Sequence, residues 1–196
     1  MPSALILLAD GTEEMEFTIT YDTLVRAGVA CTSAFISDKG ITFSGVDPPP
    51  AVGSRGIKIV PDAVLHLIDT SPFDLLVIPG GAKGAETMAR STVVQKLVID
   101  YIAAGKLVGM ICAGSMAALT SRLPKQPITS HPSVKAELEK AFEYSEESVV
   151  VSGNLITSRG PGTAFPFAFT LVEKLLGPEK REEIRGPMVF PAGTPF

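Results

Sequence analysis

The sequence predicts a three-layer α/β sandwich around a mostly parallel sheet, and three observations carry that reading. Its apolar runs are too continuous for half-exposed strands, the segments between them show helical apolar spacing, and glycine-bearing turns separate the two. Ala4 to Ala9 is the first such run and ends in Asp10-Gly11, as a strand buried on both faces would. Thr12 is then the expected helix cap, with Glu13 and Glu14 as solvated acids in a first turn that favours negative charge. Leu24 and Val25 supply the apolar face and Gly28 the stop. Ala30 to Ile36 reads as the second strand, and Leu75 to Ile78, followed by Pro79-Gly80-Gly81, as a later one. Val93, Val94, Leu97, Val98, Tyr101 and Ile102 recur at helical spacing before Gly105, and Leu107 to Ile111 is again an apolar strand.

A short helix of small residues is expected from about Ser115 to Leu119, and another begins near Pro132 and Ser133. Val149 to Val151 and Leu155 to Thr157, joined by Ser152-Gly153-Asn154, form a hairpin signal. The last long helix runs from about Thr163 to Leu176, tolerates Pro166 near its start, and ends at Gly177-Pro178. Phe165, Phe167, Phe169, Leu171, Val172 and Leu175 cover most of its circumference, so it must be buried between layers or against a second subunit. Val46 to Gly53, containing Pro48, Pro49 and Pro50, reads as a surface insertion. No internal repeat interrupts the pattern.

At 196 residues, 45% hydrophobic and 19% charged, the expectation is one domain over residues 1–196. A chain of that length buries roughly 70% of its unfolded surface. Lys and Arg number 17 against 21 Asp and Glu, a formal −4 without like-charge runs, which argues against nucleic-acid binding. The apolar stretches fall short of the about eighteen residues a membrane-spanning helix needs. With no basic lead-in before the first apolar run, the chain reads as intracellular, cytoplasmic with the nucleus as a second compartment. Cys31 and Cys112, without a CxxC pair, read as free thiols.

In an open parallel sheet, the crevice lies at the carboxyl ends of the strands. Cys112 sits there, in Ile111-Cys112-Ala113-Gly114-Ser115, a strand, a sharp turn of small residues and a helix start. That arrangement resembles a nucleophile elbow with a thiol, and the helix terminus is expected to lower the thiol pKa. The plainer alternative is a small buried hydrophobe, which is the reading adopted for Cys31. Glu16, on the helix after the first strand, is the candidate carboxyl partner: near a thiolate its pKa should rise, so that it donates to sulfur or moves a proton. An exposed glutamate is the alternative. Gly80-Gly81-Ala82-Lys83-Gly84 lacks the GxGxxG spacing of a dinucleotide site, but paired glycines at a strand end suit an oxyanion hole. His66, between Leu65 and Leu67, reads as structural. His131, before Pro132, reads as a cap or as the imidazole that serves Cys112. Two histidines and two cysteines without a short-spaced pair make a metal site a poor fit.

These residues resemble the parkinsonism-associated protein deglycase family, PfpI-like members of the class I glutamine amidotransferase-like superfamily. The resemblance rests on five stretches in order: Asp10-Gly11-Thr12-Glu13-Glu14-Met15-Glu16, Pro79-Gly80-Gly81, Ile111-Cys112-Ala113-Gly114, Ser130-His131-Pro132, and Thr157-Ser158-Arg159-Gly160-Pro161-Gly162-Thr163. It implies a flavodoxin-like sandwich, usually a homodimer, with Cys112 as nucleophile, Glu16 as its protonated partner, His131 nearby, and the Gly81 and Ala113 amides as oxyanion donors. The implied activity is a glyoxalase III-type lyase (D-lactate dehydratase) acting on methylglyoxal and related α-oxoaldehydes without a cofactor, with protein deglycation alongside. The alternative reading is an oxidative-stress sensor or redox-regulated chaperone acting through oxidation of Cys112. Glutaminase or protease chemistry is disfavoured because His131-Pro132-Ser133 lacks the H-x-E arrangement of the amidotransferases. The apolar helix Thr163 to Leu176, together with Phe17, Ile19 and Tyr21 on the first helix, leads to the expectation of a two-fold homodimer through the first helix and residues near Arg26.

Overall fold

The computed structural model describes residues 1–37 and 48–196. Its chain order is β1 (Ser3–Leu8), α1 (Glu14–Arg26), β2 (Ala30–Phe35), β3 (Ala51–Val52), β4 (Lys58–Ile59), β5 (Ala63–Val64), β6 (Leu75–Ile78), α2 (Ala82–Arg90), α3 (Thr92–Ala103) and β7 (Leu107–Ile111). Then follow α4 (Met116–Thr120), β8 (Pro127–Ile128), α5 (Lys135–Leu138), β9 (Glu143–Tyr144), β10 (Val149–Ser152), β11 (Leu155–Ser158), α6 (Ala164–Leu176) and α7 (Pro178–Arg185). Seven strands form the central sheet in the order β10-β11-β7-β6-β1-β2-β5, parallel throughout except for β10, which pairs antiparallel with β11.

The continuous apolar run of β1 has a direct cause. Ala4, Ile6 and Leu8 face a core with Phe17, Leu24, Phe167 and Leu171, while Leu5, Leu7 and Ala9 face another with Met88, Val94, Val98 and Ala117. Helices α1 and α6 thus cover one face and α3 and α4 the other, the expected three layers. Neighbours β7, β6 and β1 bring the loops that follow them to one edge of the sheet.

Several expectations change. Helix α1 is capped by Glu13, whose Oε2 accepts the Glu16 amide at 2.8 Å; Thr12 Oγ1 instead accepts the Ala9 amide at 3.0 Å. Glu14 is not a solvated acid: it is 4% exposed and accepts from Ser54 Oγ at 2.9 Å and the Arg55 amide at 2.5 Å. Burial alone would raise its pKa, but these donors hold the carboxyl below the ordinary range. The stretch ending at Gly53 is not a plain surface insertion either. Val46 and Asp47 lie outside the described residues, but Ala51 is buried, the Val52 amide donates to Asp10, and Gly53 packs on Glu14. His66 is exposed on a short 3-10 turn after β5 rather than packed within an apolar segment.

Helix α6 is buried, and the rest of its own chain covers it. Phe165 and Phe169 pack against Phe190 and Phe196 from the C-terminal tail, edge-on to Phe190, at ring separations from 5.0 to 6.2 Å between the two pairs. Helix α7, which the sequence reading stopped short of, starts at Pro178 in the first helical position and packs on α6. The apolar circumference of α6 therefore gives no support to a subunit interface. Among the described residues, no helix is long and apolar enough to cross a membrane.

Candidate active site

Strand β7 ends at Ile111, and a 3-10 turn from Cys112 to Ser115 begins at once and runs into α4. The reversal holds Cys112 at φ 62°, a conformation side-chain-bearing residues rarely adopt. Such strain costs on the order of 1–3 kcal/mol and persists only where packing over-determines it. Gly114 makes the turn feasible, because a Cβ there would stand 2.5 Å from the Ile78 carbonyl oxygen and 2.7 Å from that of Pro79.

Glu16 reaches the same place from α1 and is fully buried. Its Oε2 accepts the Gly80 amide at 2.7 Å, and its Oε1 is buried without a hydrogen bond of ordinary geometry among the described residues. The Cys112 thiol interacts with this carboxyl and with the backbone amides of Ala113 and Gly81. Gly80 has to be glycine: a Cβ would lie 2.5 Å from Cys112 Cβ, 2.7 Å from Glu16 Oε2 and 2.9 Å from Cys112 Sγ. Its amide is committed to Glu16, so Gly80 positions the carboxyl rather than serving as a free oxyanion donor.

Burial pushes Glu16 up to about 7, with the Cys112 thiol and the Gly80 amide pulling the other way. Burial and then the charge of Glu16 push the Cys112 thiol up to about 12, against the pull of Ala113 and Gly81. The helix-terminus expectation of a lowered thiol pKa is thereby reversed. The turn does supply amides, but desolvation beside a carboxylate outweighs them, and between the two values the pair holds a single proton. Cys31 is half-buried in packing, as expected, with burial the main cause of a thiol pKa of about 12.

His131 arrives on the loop after β8. Its amide donates to the Cys112 carbonyl at 3.3 Å, and its Nδ1 accepts the Ser133 amide at 3.2 Å. Nδ1 also lies 2.8 Å from Ser133 Oγ, so Ser133 holds that side of the ring, while Cδ2 faces Gly160. Tyr144, which the sequence reading passed over, fixes that loop by donating to the Ser130 carbonyl at 3.0 Å, and Lys135 stands 5.3 Å over its ring. Nothing in the local sequence around Tyr144 announces this role. From Ala113, a cleft walled by Ala82, Ala85, Met116 and Val134 leads outward between α2 and α4. Among the described residues, no three His, Cys, Asp or Glu side chains come together as a metal site.

Residues 2–174 match the DJ-1/PfpI family. Protein dj-1beta of Drosophila melanogaster is 40% identical over 185 residues, covering 93% of this chain and 94% of that protein. A protein of Caenorhabditis elegans named glutathione-independent glyoxalase DJR-1.2 is 37% identical over 188 residues, 95% of each. The crystal structure of Drosophila melanogaster DJ-1beta superposes with a TM-score of 0.88 at 37% identity, covering 97% of this chain and 99% of that one. With the family match over residues 2–174 and relatives 37–40% identical along nearly the whole chain, the chain belongs to the DJ-1/PfpI family.

Proposed function

We propose that the protein is a glutathione-independent glyoxalase that converts methylglyoxal and related α-oxoaldehydes to 2-hydroxy acids at Cys112. One observation carries the reading: a nucleophile held at φ 62° beside a buried carboxyl whose pKa is about 7. A general base is most effective when its pKa lies near the working pH, and Glu16 sits there while the thiol keeps its proton. The name of the Caenorhabditis elegans relative supports the substrate class.

Ionised Glu16 takes the Cys112 proton as Sγ bonds to the aldehyde carbon, and the proton passes to the aldehyde oxygen to give a hemithioacetal. The Gly81 and Ala113 amides, with the His131 imidazole, stabilise the oxygen while it is charged. Glu16 then removes the C1 hydrogen while the C1 hydroxyl proton passes to the C2 carbonyl oxygen, giving an enediolate, and returns the proton it took to C2, leaving a thioester with a C2 hydroxyl. Water hydrolyses this to the 2-hydroxy acid and the free thiol. Carbon 1 is oxidised and carbon 2 reduced within one molecule, so electrons balance without a cofactor.

The test is lactate formation from methylglyoxal in glutathione-free buffer; absence of conversion overturns the reading. Because the competent form carries one proton on the pair, kcat/KM is expected to rise with pH through about 7 and then level. A profile falling through that range would exclude ionised Glu16 as the base. If peroxide sensing at Cys112 is the function instead, intact mass should show rapid gain of two oxygens in a protein that turns over no aldehyde.

A homodimer through α1 is part of the same proposal. With α6 covered, the support is Met15 at 53% exposure, joined by Val52 at 43% and Ile57 at 58% on the β3–β4 pair that Glu14 ties to α1. Light scattering is expected to give about twice the 20.6 kDa chain mass at micromolar concentration, and a monomer across that range would rule the dimer out.

A further inference from the structure

Gly160, in the stretch Arg159-Gly160-Pro161-Gly162-Thr163, has no part in the proton path above, and neither conformation nor collision explains why it is glycine. It is buried, and its φ of 167° is extended backbone that any residue adopts. A Cβ there would meet nothing closer than His131 Cδ2 at 3.6 Å and Glu16 Oε1 at 4.0 Å, both ordinary van der Waals distances. Gly80 and Gly81 differ sharply, since a Cβ at either would fall within 2.5 Å of existing atoms.

The space a Cβ at 160 would fill therefore lies between the His131 ring and Glu16 Oε1, the carboxyl oxygen that, among the described residues, is buried without a hydrogen bond of ordinary geometry. Its wall is fixed. Thr163 Oγ1 accepts the amides of Arg159 at 3.1 Å and Gly160 at 3.0 Å, and shares a 2.7 Å hydrogen bond with Ser158 Oγ.

We infer that Gly160 sets the size of the group accepted beside the reacting carbonyl: the space left by its missing side chain is a methyl-sized recess between Glu16 Oε1 and His131. The inference rests on the glyoxalase reading for its substrate and on geometry alone for the recess, so two measurements separate them. The first is the ratio of kcat/KM for methylglyoxal to that for glyoxal, which differ by one methyl group, in wild type, Gly160→Ala and Gly160→Val. One methyl in a fitted pocket is worth about 10–200-fold in discrimination. The ratio is expected to fall about tenfold in Gly160→Ala and further in Gly160→Val; an unchanged ratio overturns the inference, whatever the absolute rates do.

The second measurement needs no turnover. Cys112 is alkylated with iodoacetamide and with 2-iodopropionamide, sulfur displacing iodide in both, and each rate is followed by mass of the Cys112 peptide. The propionamide-to-acetamide rate ratio is expected to fall in Gly160→Ala relative to wild type, and an equal ratio overturns the recess. If wild type converts neither aldehyde, the glyoxalase reading fails and the alkylation ratio alone decides. If Gly160→Val does not fold, Gly160→Ala decides, because its new contacts are ordinary ones.

Discussion

Replacing Glu16 with glutamine is expected to lower kcat/KM for methylglyoxal by about 10³-fold or more, as Cys112→Ser should, because the two act as one unit. The double variant should lose little beyond either single one. Folding stability should move the other way. The folded-state pKa of Glu16 is raised from 4.5 to about 7 by burial. The folded protein therefore keeps a proton that the unfolded chain releases between those values. The associated stability is fully present below about 4.5 and lost as pH rises through about 7, a cost on the order of 3 kcal/mol by pH 8. Glutamine stays neutral, and its amide can accept from Gly80 while donating toward Cys112. The urea midpoint of Glu16→Gln should exceed that of wild type clearly at pH 8 and much less at pH 5. A gap of equal size at both pH values would mean that Glu16 does not ionise inside the fold. Ordinary activity at pH 8 in Glu16→Gln would remove it from the mechanism.

The parts of this fold that could be read from the sequence are those where one physical signal dominates. Leu75–Ile78 and Leu107–Ile111 are uninterrupted apolar strands because both sheet faces are covered, and their bounds were readable to the residue. Cys112 and Glu16 were readable for a related reason: each follows a buried parallel strand, so topology brings them together. What escaped depends on long-range partners. Glu14 looks like any first-turn acid until Ser54 and Arg55, some forty positions away, enclose it. The outer face of α6 looks unpartnered until Phe190 and Phe196 return to cover it. Short-range pattern also hid α2, Ala82–Arg90, because its first turn lies in the glycine-rich stretch Gly80-Gly81-Ala82-Lys83-Gly84. The helix terminus at Cys112 is local and visible in the sequence, whereas the desolvation by a three-layer fold that raises the thiol pKa is not.

Gly81→Ala is expected to be the most damaging substitution outside the reacting side chains, destabilising the fold by about 3 kcal/mol or more. Its φ is 84°, and a Cβ would stand 2.1 Å from the Gly11 carbonyl oxygen and 2.6 Å from the Glu13 amide nitrogen. Those atoms are backbone and cannot rotate away. They belong to the β1–α1 loop, which is stitched to the β6–α2 loop by the Glu13 amide donating to the Gly80 carbonyl at 3.1 Å. Moving one loop therefore moves Glu16 against Gly80 and withdraws the Gly81 amide from Cys112. Gly153→Ala is the matched control: φ is 56°, also left-handed, but a Cβ would meet nothing within 4 Å. Only the conformational cost applies there, roughly 1–2 kcal/mol. In a domain of this size each kcal/mol shifts the melting midpoint by about 2–4 °C. Gly81→Ala should accordingly melt well below Gly153→Ala and lose methylglyoxal turnover even at temperatures where it is folded, while the control keeps its turnover. Equal melting losses in the two variants would mean that positive φ alone, and not the contact between the two loops, requires glycine at position 81.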